Sequence, residues 1–425
     1  MKKLISLILV LSLLCLASAA AADPKRIDGK SKRDITIQEA GLNTEPDELI
    51  MNDESPTTGR KLSTVYAPDN FRGAAVNGQY TPMMVMISNA SNGFNSEKEI
   101  ARGESPYQIA PVNGQYADIV YEACQVANGS LTRMSMIFSD TIPDYVGFIR
   151  STRYTHVRLR QEWNSLFLTS GYEPSVADEW LRCGVRHAAD GNMGNDPGPV
   201  YVGGVSAGKP WRKYYVTLDG IKDANNRMYR LAALLGDKTC VREGKFQYAN
   251  HSWLFTDEVP EGGDSGEIVY VTFGGSYTTD SRLEYDEDTN SYIRWVDVPS
   301  SAGLPYSSSK LLNPVLYEKD AGDWRVTAEQ IQGDPITFNN VIIQSIIMKW
   351  EDGGIPDPKL VGTGNADYFM CGKHYEGVWQ RNDLNSRTVY YDRNGQEIRL
   401  QRGRTLIILM NYGSADSDKF NVKYE

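Results

Sequence analysis

The stretch "YVGFIRSTRYTH", residues 145–156, decides how the fold is read. Val146, Phe148 and Ile149 form the apolar end of a strand, and a helical pattern follows over about 154–163. Arg150, Ser151 and Arg153 stand between them. Arginine is seldom buried without a partner, so a strand that runs straight into two of them requires something to face the guanidinium groups. On a strand ending near Ile149, Arg150 leaves at the carboxyl end, where open α/β sheets hold their ligands. Ser151 or Thr152 is the expected helix cap, and the helix N–H groups beside Arg150 and Arg153 suit a carboxylate or a phosphate. Arg133, at the mouth of the neighbouring strand, adds a third donor group. The alternative is an internal network in which Arg150 or Arg153 pairs with Asp118 or Glu122 of "ADIVYEA" (117–123), two acids on one strand face.

Outward from this point the chain reads as strands at 83–88, 117–123, 133–139, 145–149 and 165–171, with helical patterns at 154–163 and 175–183. Alternating strands and helices predict a mixed α/β, sandwich-like N-terminal domain over 66–245. From about 250 the texture turns β-rich, with strands at 267–273, 281–286, 291–295, 339–350 and 367–372, and Asn394-Gly395 signals a type I′ hairpin. A mostly antiparallel C-terminal domain over 246–425 follows, so the expected class is α+β or mixed α/β. The boundary is placed between Gly236 and His251.

Lys2 and Lys3 precede an apolar run from Leu4 to Leu16 and then "ASAAAA", the pattern of a secretory signal peptide over 1–22, cleaved after Ala19 or Ala22. The run is too short for a comfortable membrane span, so none is expected in the mature chain. Residues 23–65 are polar, with little periodicity, and read as a flexible arm. Without the signal the chain has 42 basic and 54 acidic residues, a net charge of −12. That balance argues against nucleic acid as a partner and makes any anion-binding arginine cluster a local exception. Cys124, Cys183, Cys240 and Cys371 remain, an even number in an oxidising compartment, with three possible connectivities. None has zinc-site spacing.

Other motifs fail on context. "GVSAG" (204–208) matches a nucleophile elbow, but Pro210 and the Gly-rich flanks make it a loop. "DEDTNS" (286–291) begins like a calcium loop, yet its glycine position is Ser291, which makes it an acidic turn.

"SPTTGR" (55–60), "TPMMVMISNA" (81–90), "NGQYADIVYEA" (113–123), "LTRMSMIFSDTIPDYVGFIRSTR" (131–153) and "SLFLTSG" (165–171) resemble the N-terminal domain of the YerB-like lipoproteins. "NVIIQ" (340–344), "GTGNADYFMCGKHYEGVWQR" (362–381) and "YYDRNGQEIRLQRGRTLIIL" (390–409) resemble the C-terminal domain of that family. The resemblance implies two domains, an envelope location and a Gram-positive source, but no activity, because the family's domains are of unknown function. It marks Asp118, Glu122, Arg133, Arg150, Ser151, Arg153 and Gly171 as motif positions, with Trp211 and Arg212 as its aromatic–arginine step. The chain departs from it at the lipid anchor: Cys15 follows Leu13 and Leu14 rather than a small residue.

The leading expectation is a non-catalytic envelope protein that binds an anionic cell-wall ligand through Arg133, Arg150 and Arg153, and no cofactor is specified. One rival is a Mg²⁺-dependent enzyme acting on phosphorylated or polyprenyl-linked precursors, with Asp118 or Glu122 as metal ligand or base. The other is a structural module that docks an envelope protein.

Overall fold

A computed structural model describes residues 23–38, 53–61, 82–89, 114–125, 132–141, 152–163, 165–168, 174–176, 179, 201–203, 228–229, 253–273, 281–297, 308–310, 335–351, 354–412 and 420–425. The principal elements are β1 (Lys25–Arg26), β2 (Met83–Asn89), β3 (Ile119–Cys124), β4 (Thr132–Phe138), α1 (Tyr154–Trp163) and β5 (Leu166–Leu168). They continue with β6 (Ile268–Thr272), β7 (Ser281–Asp286), β8 (Ser291–Asp297), β9 (Asn340–Glu351), β10 (Ile355–Lys359) and β11 (Gly362–Met370). The last are β12 (Lys373–Arg381), β13 (Val389–Tyr391), β14 (Thr405–Asn411) and β15 (Asn421–Tyr424).

Among the described residues, a large sheet runs β13-β12-β11-β9-β14-β3-β4-β2-β5, and a smaller one contains β1-β15-β6-β7-β8. The two pack face to face. Val120, Met134, Leu406 and Ile408 of the large sheet meet Val269, Leu283, Tyr292 and Val422 of the small one in a single apolar cluster. Alternate residues point the other way: Ile119, Tyr121, Ile137, Ile407 and Leu409 form a second cluster with Val157, Leu159 and Trp163 of α1. β14 reads "TLIILMN" without alternation because it is buried on both faces.

The expected α+β or mixed α/β class is corrected: β-structure dominates, and α1 is the single α-helix among the described residues. The misreading has a physical cause. β3, β4 and β2 pair antiparallel, so those pairings need no helical crossover. One face of the large sheet is covered by a second sheet instead of by helices. β14 also lies parallel to both β9 and β3, so strands from the two ends of the chain share one sheet. The proposed boundary at 236–251 lies outside the described residues, as do residues 1–22, all of the strand at 145–149 and most of the helical pattern at 175–183.

The described part of the polar arm is held in place. β1 pairs with β15, and Arg33 donates to Asp367 and to the carbonyls of Ala366 and Gly377. The chain reverses at 392–395, but only Gly395 has positive φ. Gly395 N–H donates to Asp392 O, so the turn is centred on Arg393 and Asn394 and followed by a left-handed glycine, in place of the expected type I′ pair. Trp379 is core, its Nε1 donating to Ser345 O. Cys371 carries a free thiol and is not bonded to Cys124; Cys183 and Cys240 lie outside the described residues.

Candidate functional site

The structure separates the residues that the sequence grouped. Asp118 sits at the foot of β3, and its Oδ2 accepts hydrogen bonds from Thr57 Oγ1 (3.0 Å), Ser139 N (3.0 Å), Asp140 N (2.9 Å) and the Ser139 hydroxyl. Asp140 follows β4 beside it and accepts from the hydroxyls of Ser55 and Thr58. The "SPTTGR" segment supplies these hydroxyls through a tight turn closed by Gly59 N–H to Ser55 O (2.8 Å). Gly59 has φ +64°, and a Cβ there would lie 2.4 Å from the Phe255 ring. Burial, and then the Asp140 charge, push the Asp118 carboxyl up to about 8. Burial raises Asp140 as well, against the pull of its hydroxyl partners and Arg60. The two buried acids sit inside a shell of the chain's own donors, and they tie residues 55–60 to the end of the hairpin.

Glu122 belongs to the inter-sheet face. It accepts from Thr132 Oγ1 (2.8 Å) and from Arg294 Nη2 (2.8 Å) of β8, with all three side chains buried. Burial lowers the Arg294 pKa while Glu122 opposes the change. The pair fastens one sheet to the other.

Arg133 lies on the α1 face. Its neighbours Thr132 and Met134 point to the inter-sheet core, and alternation sends Arg133 and Ser135 the other way. Arg133 pairs across the hairpin with Ala123, so about 17 Å of strand separates its level from Asp118. Arg153 precedes α1 directly, and the helix entry does not use the expected cap. Arg153 N–H donates to Nδ1 of His156 (2.9 Å), while the Thr152 hydroxyl turns to Arg153 O. A side chain at the third helical position thus reaches back to the N-cap amide, as in a capping box.

That bond fixes the imidazole. Nδ1 accepts, so the proton of the neutral ring is assigned to Nε2. His156 is 1% exposed, and Nε2 has no hydrogen-bond partner. Burial, with the Arg133 and Arg153 charges added, holds its pKa well below the usual value. The hydroxyls of Ser135 and Thr155 are also buried without partners. The cluster is therefore rich in donors and positive charge, and its orphaned groups lack an acceptor. Around α1, Arg153 Nη1 donates to Thr152 O (2.9 Å), Arg158 binds Glu179 and Asp357, and Arg381 pairs with Glu162.

Of the residues picked out by sequence, Arg133 and Arg153 both lie near enough to His156 for their charges to act on it, and Asp118 and Glu122 are placed elsewhere. Arg150, Ser151, Gly171 and Arg212 lie outside the described residues. His156 was overlooked, although it closes the quoted stretch; its spacing three residues after Arg153 was the available signal. Asp140 and its hydroxyl partners were overlooked too, because they converge from segments about eighty residues apart.

A family model described as the DUF3048 N-terminal domain, of unknown function, matches residues 113–229, and one for the DUF3048 C-terminal domain matches 269–407. The chain carries both domains of this family. "Putative lipoprotein YerB" of Bacillus subtilis (strain 168) is 25% identical over 275 residues, 64% of this chain and 69% of that one. The crystal structure of Bacillus subtilis YerB matches with a TM-score of 0.53 at 20% identity, over 87% of this chain and 99% of that one. It supports the fold. Among the described residues no helix is long and apolar enough to cross a membrane.

Proposed function

We propose that this DUF3048 protein is an extracytoplasmic envelope protein that binds a phosphorylated or carboxylated ligand beside α1, through Arg133, Arg153 and His156. The observation that carries the reading is the Nε2–H of His156, buried without an acceptor in the field of two guanidinium groups. An anionic oxygen there would satisfy the donor and neutralise the charge together. Arg150 and Ser151, just before Thr152 and Arg153 in sequence, are offered as further contacts, with Gly171 and Arg212 as others. In this reading the 66–245 domain carries the ligand and the 246–425 domain is its scaffold. The signal-like N-terminus and the lipoprotein name of the relative favour the envelope.

Geometry favours binding over the Mg²⁺-dependent alternative. Asp118 lies at the far end of the hairpin and Glu122 faces the other side of the sheet, so neither is placed to hold a metal against an anion at Arg133.

Residues 23–425 should be thermally stabilised by phosphorylated or carboxylated envelope fragments in proportion to ligand excess. In Arg153→Gln the shift should vanish while the melting temperature without ligand changes little, since the side chain is only part-buried. An equal shift in that variant, or no shift with any fragment, contradicts the reading.

A further inference from the structure

A second cationic site lies on the face of the large sheet opposite α1. The arm crosses the sheet there and closes a cleft of about 350 Å³ with Lys30, Lys32 and Lys359 on its walls. Ile346 and Ile347 supply apolar lining, and Ile347 is 48% exposed, one of two exposed large hydrophobics among the described residues.

The lysines are held by a fixed backbone. Gly29 lies against the Tyr412 ring, where a Cβ would come within 2.0 Å of it, so the arm can sit this close only with glycine. Asn365 Nδ2 donates to Ser31 O (2.8 Å), its Oδ1 accepts from Arg33 N (3.2 Å), and Arg33 is anchored on Asp367. Lys32 and Lys359 make no ion pair among the described residues. Of the two acids close by in sequence, Asp28 is turned onto the amides of Lys30 and Ser31, and Asp34 is exposed and does not line the cleft. Ser345 and Tyr412 also line the cleft, each 6% exposed, and their hydroxyls are buried without partners. Burial raises the Tyr412 hydroxyl, which stays protonated and remains a donor.

We propose that this cleft binds a small organic anion, one phosphate or carboxylate on a body of about hexose size, between Lys30, Lys32 and Lys359. Three lysines line it, and its volume of about 350 Å³ is at the small end of ligand pockets. The apolar lining suits the carbon face of a ring. Because the arm supplies two of the three lysines, the bound anion would also clamp the arm to the sheet. The proposal is independent of the arginine site, which lies across the sheet.

Calorimetric titration of residues 23–425 with glucose 6-phosphate, glucuronate and uncharged glucose tests it. At least one of the two anions should bind and glucose should not; the anion that binds identifies the charged group. The double variant Lys30→Ala, Lys32→Ala should bind about tenfold more weakly or worse, both in the wild-type background and in Arg153→Gln, where the arginine site no longer contributes. Lys30 and Lys32 are exposed residues of the arm, so the variant should keep the wild-type fold, checked by its melting temperature. No binding of either anion at about 10 mM, equal binding of glucose, or unchanged affinity in the double variant overturns the proposal.

Discussion

The Asp118–Asp140 pair and the Arg133–Arg153–His156 cluster occupy opposite ends of one β-hairpin and treat buried polarity in opposite ways. At the acid end every acceptor seen has its donors: Asp118 and Asp140 are wrapped by the hydroxyls and amides of 55–58 and 139–140. At the arginine end the donors outrun the acceptors, and His156 Nε2, Ser135 Oγ and Thr155 Oγ1 are left over. A satisfied buried cluster holds a fold together, while orphaned donors under positive charge are a cost that a bound anion removes. Glu122, on the same hairpin, lies between the two cases: Thr132 and Arg294 donate to it, while Arg294 Nε is buried without a partner.

The largest effect should come from the closed clusters. Arg294→Ala leaves Glu122 buried without its guanidinium partner, and denaturant unfolding should show a loss of about 3–5 kcal/mol. A loss below about 1 kcal/mol would show that the sheets do not depend on this pair.

The two ends should next differ in the sign of their pH dependence. The Asp118 pKa is raised from 3.8 to about 8 on folding. Its contribution is fully present below about pH 4 and is lost as pH rises toward 8, by up to about 1.4 kcal/mol per unit. Asp118→Asn, whose amide oxygen can accept the same donors, should remove that slope. His156 runs the other way: with its folded pKa depressed below 6.5, the unfolded chain takes up a proton on acidification that the native state refuses. Stability is therefore lost as pH falls below about 6.5, and His156→Gln should flatten that limb in unfolding curves from pH 5 to 8. Slopes of the same sign in both variants would break the contrast.

The smallest stability effect belongs to Arg153→Gln, less than about 1 kcal/mol in the absence of ligand, because its role is in binding.

Much of the local structure was legible in the sequence. The 154–163 pattern became α1, and the strands at 83–88, 281–286 and 339–350 appear with shifts of at most a residue or so. Short-range periodicity carries that information. It carries nothing about β14, whose parallel neighbours β3 and β9 are set by burial between chain segments far apart, and so the fold class was misread. At the site, the strand-mouth position grouped Arg133 with Arg150 and Arg153, and alternation offered Asp118 and Glu122 as partners of Arg150 or Arg153. Their actual partners, Thr57 and Arg294, are 61 and 172 residues distant, beyond any local pattern.

The central claim is tested most directly by imidazole ¹⁵N NMR of His156 in residues 23–425, assigned with His156→Gln among the four histidines. At pH 7 the ring should be neutral with its proton on Nε2, should stay neutral below pH 6, and should shift when a phosphorylated or carboxylated ligand binds. A ring that titrates near 6.5, or one untouched by a ligand that stabilises the protein, would contradict the account.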